Sequence, residues 1–188
     1  QDPDIIMVGE IRDLETAEIA IKAAQTGHMV LSTLHTNDAP SAVTRLLDLG
    51  TPAYLLNATL LGVMAQRLVR TLCPQCKQAS PLTHEEEEIW QAMVSPWKAA
   101  KPQKVYHPVG CLDCRMTGYV GRVGLYEIML MSPELRKLVT PATELARVRE
   151  LAYREGMKPL RISGAMKVAA GLTTLEEVLQ VAPPAQNE

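Results

Sequence analysis

The sequence predicts an α/β fold: a parallel sheet with flanking helices, then a small cysteine-bearing subdomain and C-terminal helices. Three observations carry that expectation. Short apolar strands alternate with amphipathic helices over short connections, the pattern of a parallel sheet with helices on its faces. All four cysteines fall in one loop-rich stretch, and helical periodicity returns after it. The 188 residues are 47% hydrophobic with a formal net charge of −2, enough apolar material for one modest domain plus an appendage. That balance argues against disorder and is a poor electrostatic match for nucleic acid. No apolar run approaches the ~20 residues that a membrane span needs.

Ile5-Ile6-Met7-Val8 is a continuous apolar run of the kind that forms a strand covered on both faces. It ends at Gly9-Glu10-Ile11-Arg12-Asp13. Asp13 is the expected N-cap of a helix with Leu14, Ala17, Ala20, Ile21 and Ala24 on one face, and Gly27 is its αL stop. Met29-Val30-Leu31-Ser32-Thr33-Leu34 forms a second strand, ending in His35-Thr36-Asn37-Asp38. Asp38 caps the next helix, Pro40 is tolerated in its first turn, and Gly50 ends it. A helix and then a strand near 63–69 are expected within 54–72. Residues 73–131 read as a loop-rich insert with a helix near 85–94 and a return strand over 124–131. Ser132-Pro133 opens a first C-terminal helix, 143–153 a second, and 164–170 a third. Thr173 with Glu176, or Thr174 with Glu177, makes a capping box for the last helix, and 182–188 is an expected frayed tail. The textures divide the chain into 1–72, 73–131 and 132–188. The chain opens Gln1-Asp2-Pro3-Asp4, without Met or a signal peptide, and is expected to be part of a longer protein.

Polar residues gather after both early strands, at the carboxyl edge where α/β proteins place ligands. A site built from Glu10, Arg12, His35 and Thr36 follows. An apolar strand ending in a carboxylate is how P-loop nucleotidases hold Mg²⁺ through water or polarise the attacking water, and Glu10 is positioned for that work. Alone the signal is weak, because most carboxylates at strand ends are solvated loop residues. His28 and His35 flank the second strand and would lie roughly 23 Å apart, so they cannot bind one small group together. His35 is the candidate donor of a hydrogen bond to a terminal phosphate. His28 reads as structural, capping a helix end or bonding a carbonyl. No GxxxxGK[ST] occurs, so these residues alone cannot build a complete nucleotide site.

Cys73-Pro-Gln-Cys76 and Cys111-Leu-Asp-Cys114 are two CxxC knuckles separated by 34 residues. The two-residue gap lets both thiolates of a knuckle converge on one tetrahedral ion, and two knuckles close the shell. The long intervening loop raises the closing entropy only logarithmically. Redox CxxC chemistry and incidental buried thiols are the rival readings. Four cysteines are too few for a disulfide-stapled secreted scaffold.

The residues 1–13, ending Val8-Gly9-Glu10-Ile11-Arg12-Asp13, resemble the Walker B segment of the type II secretion and type IV pilus-assembly ATPases. Gly27-His28 through His35-Thr36-Asn37-Asp38 resembles that family's histidine box. The paired knuckles, Thr117-Gly118-Tyr119-Val120-Gly121-Arg122 and Tyr126-Glu127 resemble its tetracysteine zinc subdomain and following strand. Gly171-Leu172-Thr173-Thr174-Leu175-Glu176-Glu177 resembles its terminal helix. The resemblance implies the C-terminal part of a RecA-like P-loop ATPase domain, with Walker B and histidine box within 1–72. It makes Glu10 and His35 catalytic, and expects Glu10, Arg12, His28 and His35 to bind the nucleotide. Cys73, Cys76, Cys111 and Cys114 would hold structural zinc, with ATP and Mg²⁺ used by the full-length parent.

That parent is expected to be a cytoplasmic homo-hexamer peripheral to the bacterial inner membrane, working with platform and cytoplasmic adaptor proteins. It would hydrolyse ATP to power pseudopilus or pilus assembly, while this chain alone would be inactive. Direct nucleic-acid binding is not expected. The alternative is a zinc-ribbon module that binds protein or nucleic acid without catalysis. It lacks support in a chain with 4% aromatics and no Phe.

Overall fold

The computed structural model describes residues 3–97 and 99–182. Among the described residues, six strands and eight helices follow in the order β1 (Ile5–Val8), α1 (Leu14–Gln25), β2 (Met29–Ser32), α2 (Ala39–Asp48), α3 (Ala53–Thr59), β3 (Gly62–Leu72), β4 (Gln78–Ser80), α4 (His84–Val94), β5 (Val105–His107), β6 (Tyr119–Leu130), α5 (Pro133–Leu138), α6 (Leu145–Arg154), α7 (Leu160–Ala169) and α8 (Leu175–Val181). Two compact units divide them. The first runs to Ala65 and adds Ile128–Met157; the second comprises Gln66–Glu127 and the residues from Lys158 onward.

In the first unit, β1 and β2 pair in parallel across the α1 crossover, with Ile5 opposite Met29 and Met7 opposite Leu31. This confirms the strand–helix–strand reading but corrects the expectation of two covered faces. Ile5 and Met7 are 61% and 78% exposed, and Met29 and Leu31 beside them are exposed as well. Ile6, Val8 and Val30 on the other face are half-buried. The apolar run cannot reveal this, because a continuous run satisfies a strand with one packed face as well as one with two. The core of the unit joins Ile21 of α1, Val43 and Leu46 of α2, Leu56 of α3, Leu135 of α5 and Val148 of α6.

Local signals set the helix ends. Asp13 Oδ1 accepts the Thr16 N–H at 2.8 Å, and Asp38 Oδ1 accepts the Ser41 N–H at 2.9 Å. Gly27 ends the α1 turn with φ 97°, a left-handed value that glycine adopts without strain. Strands β3 and β6 are antiparallel. Met131 N–H donates to Leu61 O and Cys73 N–H to Gly118 O, both at 2.9 Å, so the two strands run in opposite directions.

The second unit packs α4, α7 and α8 on one another beside the antiparallel β4–β5 pair. Thr83 and Glu86 form a full capping box at α4. Of the two boxes offered for α8, the structure selects Thr174, whose Oγ1 accepts the Glu177 N–H at 3.3 Å. Helix α7 begins at Leu160, four residues before the expected start, because Gly164 lies inside the helix rather than opening it. Of the expected frayed tail, 183–188 lie outside the described residues.

Candidate functional site

Glu10 and His35 follow adjacent parallel strands and meet. His35 Nε2 lies 2.7 Å from Glu10 Oε1, and Arg12 Nε donates to Glu10 Oε2 at 2.5 Å. Burial separates the three roles. The Glu10 side chain is 17% exposed, whereas His35 is 91% exposed and Arg12 is open as well. A half-sheltered carboxylate thus stands under two solvent-facing cationic or polar groups. Glu10 Oε1 is a buried oxygen without a hydrogen-bonded donor, so its contact with His35 is close but not aligned.

Thr33 fixes this juxtaposition. Its Oγ1 donates to Gly9 O at 2.6 Å, and its carbonyl accepts the Ile11 N–H at 2.9 Å. The two bonds clasp the backbone on either side of Glu10, two residues before His35. The next anchor is Asp38, whose Oδ2 accepts Arg149 Nη2 of α6 at 2.6 Å. Burial pushes the Asp38 carboxyl up, but hydrogen bonds from Ser41 and Arg149 outweigh it and hold its pKa below the ordinary value. Sequence reading found neither the Thr33 clasp nor the Arg149 anchor. A threonine two positions before a site histidine was the one local signal for the clasp.

His28 sits at the opposite end of β2 from His35, and the structure does not bring it to Glu10. Its Nδ1 lies 3.1 Å from Ala23 O and 3.0 Å from Thr26 Oγ1, which places it on the C-terminal turn of α1. Thr36 Oγ1 turns away to donate to Asp38 O at 3.1 Å.

In the second unit the four cysteine sulfurs all lie within 4.8 Å of one another. Cys73 and Cys111 are 3.9 Å apart, Cys76 and Cys114 3.9 Å, and Cys111 and Cys114 3.7 Å. Sulfurs about 2.3 Å from a shared tetrahedral ion stand about 3.8 Å apart, so the spacing fits one metal ion. A disulfide needs about 2.05 Å, and all four thiols are free. Backbone N–H groups already point at the sulfurs. Gly110 donates to Cys76 Sγ at 3.2 Å, while Cys111 and Gly118 donate to Cys114 Sγ at 3.1 and 3.2 Å. Burial pushes the Cys114 thiol up, yet these two donors and the Cys111 and Cys76 thiols bring it down to about 6. Glycine is required beside the ligands: a Cβ on Gly118 would strike Pro108, and the residue has φ 76°. The cluster can hold a metal ion in a closed shell, with no position left for a reactive water.

The β–α–β pair, with an acid after one strand and an imidazole after the next, belongs to an α/β protein, and its likeness to solved structures is to ATPases of RecA-like fold. The crystal structure of the pilus retraction motor PilT with bound ADP matches it with a TM-score of 0.60. That likeness is 27% identical and covers 97% of this chain and 40% of that one. The chain belongs to the type II/IV secretion system protein family, whose model matches residues 1–180. It is 55% identical to the type IV pilus assembly ATPase TfpB of Acinetobacter baylyi, over 97% of this chain and 31% of that protein. It is 48% identical to the type II secretion system protein E of Aeromonas hydrophila, over 96% and 35%. The chain therefore spans about a third of the length of these curated relatives.

Proposed function

We propose that this chain is the C-terminal part of a motor ATPase that powers assembly of a type IV pilus or a type II secretion pseudopilus. The observation that carries the reading is Glu10: a sheltered carboxylate at the carboxyl edge of a parallel strand, with the His35 imidazole 2.7 Å from one of its oxygens. Bound MgATP supplies the phosphoanhydride to be split. Glu10 holds the metal's water shell or orients the attacking water. His35, its side chain exposed, donates from its imidazole to the terminal phosphate, and Arg12 offers a guanidinium donor beside it. His28, on the C-terminal turn of α1 at the other end of β2, has no part in this chemistry.

The cysteine cluster binds zinc and acts as a structural clip. The phosphate-cradling loop would be supplied by a longer parent, working as a cytoplasmic homo-hexamer peripheral to the inner membrane. Its platform and adaptor proteins would convert nucleotide-driven domain rotation into subunit extraction. Support for this assembly is the family membership and the names of the relatives. Among the described residues, no helix is long and apolar enough to cross a membrane.

The test is Glu10→Gln in the full-length ATPase. Turnover is expected to fall on the order of a hundredfold or more with nucleotide affinity little changed. The 188-residue chain alone is expected to show no turnover. Unchanged hydrolysis by the variant would refute the role of Glu10, and robust hydrolysis by the isolated chain would refute the need for an external phosphate loop.

A further inference from the structure

The segment that carries His35 is short, and both of its ends are tied. Thr33 clasps the strand ends before it. After it, the Asp38 carboxylate divides its oxygens: Oδ1 caps α2 through the Ser41 N–H at 2.9 Å, while Oδ2 takes the Arg149 guanidinium at 2.6 Å. The Thr36 hydroxyl closes the turn onto Asp38 O. Capping alone asks for one oxygen and no cation, because serine and asparagine cap as well as aspartate. The second oxygen therefore serves another purpose. The pair is partly sheltered, with side-chain exposures of 22% for Asp38 and 37% for Arg149.

We propose that Arg149 is a positioning residue for His35, acting through the Asp38 carboxylate. Arg149 anchors the exit of the histidine turn to α6, whose Val148 and Ala152 lie in the core of the same unit. The turn is held at its far end by a helix 111 residues away in sequence. His35 needs such an anchor because its own side chain is solvent-exposed and has no packing to fix it. Its place 2.7 Å from Glu10 is set by backbone held from both sides. The geometric statement stands on its own, and its catalytic consequence rests on the role given to His35 above.

Two variants separate anchoring from capping. Asp38→Ser keeps a capping oxygen and deletes the charge that holds Arg149, and Arg149→Met deletes the other partner. In imidazole ¹⁵N correlation spectra of the 188-residue chain, both variants should move the His35 signals alike. The double variant should add nothing to either, Arg149→Lys should restore them in part, and His28 at the other end of β2 should stay unmoved. His35 signals that stay in place in Asp38→Ser would overturn the proposal, as would His28 signals that move equally with them. In the full-length ATPase, Arg149→Met should lower kcat between tenfold and a hundredfold, as roughly 1 Å of misplacement does, with KM nearly constant. A moved His35 signal with unaltered turnover would overturn the catalytic assignment of His35 and leave the anchor standing.

Discussion

The Glu177 carboxylate accepts the Arg70 backbone N–H with Oε2 at 2.9 Å, and the Arg70 Nε and Nη2 groups with Oε1 at 3.0 and 2.5 Å. The Arg70 side-chain hydrogen bonds outweigh burial and hold this carboxyl below its ordinary 4.5. A lowered folded-state pKa means that the contribution is complete above the unfolded value, about 4.3, and is lost as pH falls through the folded value. Exposure sets the magnitude. Glu177 is 7% exposed but Arg70 is 53% exposed, so Arg70 keeps water when its partner is neutralised. Glu177→Gln should therefore cost about 2 kcal/mol at neutral pH, the scale of charged hydrogen bonds rather than of a stranded buried charge. Urea unfolding from pH 3 to 7 should show a shallower acid limb for the variant, not a flat one, because Asp38 is lowered too. Parallel limbs would contradict the assignment. The CxxC spacing marked the four cysteines as a local signal, whereas the strand ends alone marked Glu10 and His35 only weakly, and the motif resemblance singled them out. Thr33 and Arg149 were not legible in sequence, since their partners lie 24 and 111 residues away.

Helix and strand identities followed from periodicity and caps, and the errors arose where packing overrides local preference. Gly164 is the clearest instance. The expected helix starts at this glycine, yet α7 runs through it, and its missing Cβ makes room for α8: a Cβ there would overlap the Val178 side chain. Gly→Ala inside a helix normally gains about 1 kcal/mol. Here the obstacle is a β-branched side chain with a stiff χ1, which cannot swing aside. Overpacking costs about 1–3 kcal/mol, so the sign reverses. Gly164→Ala should lower stability by about 1 kcal/mol, and Gly164→Ala with Val178→Ala should recover part of that loss in thermal unfolding. A stabilised single variant would show that α7 and α8 are not in contact at this point. Glu177 shows the same override, because its side chain leaves the capping box it was expected to complete and turns to Arg70 on β3.

For the molecule as a whole, the two units predict an uneven response to metal loss. All four ligands belong to the unit built on Gln66–Glu127 and the C-terminal residues. A metal ion held by the four cysteines would close a loop of about 40 residues, and a cross-link of that length would contribute on the order of 4 kcal/mol by limiting the unfolded chain. Its neighbours extend the effect. Cys73 N–H donates to Gly118 O, and Lys77 Nζ donates to Gly171 O at 2.7 Å in the turn between α7 and α8. The buried core of the other unit, which draws on α1, α2, α3, α5 and α6, contains none of these groups. Stripping a metal-loaded sample with a strong chelator should therefore speed amide exchange on the order of a hundredfold across 73–77, 108–118 and 170–173. Peptides from α1, α2 and α6 should exchange as before. Cys76→Ser should reproduce the pattern without chelator, because one lost thiolate opens the shell. Uniform acceleration in both units would mean that they unfold as one. No acceleration anywhere would mean that the four sulfurs are held by packing alone, in place of the metal clip.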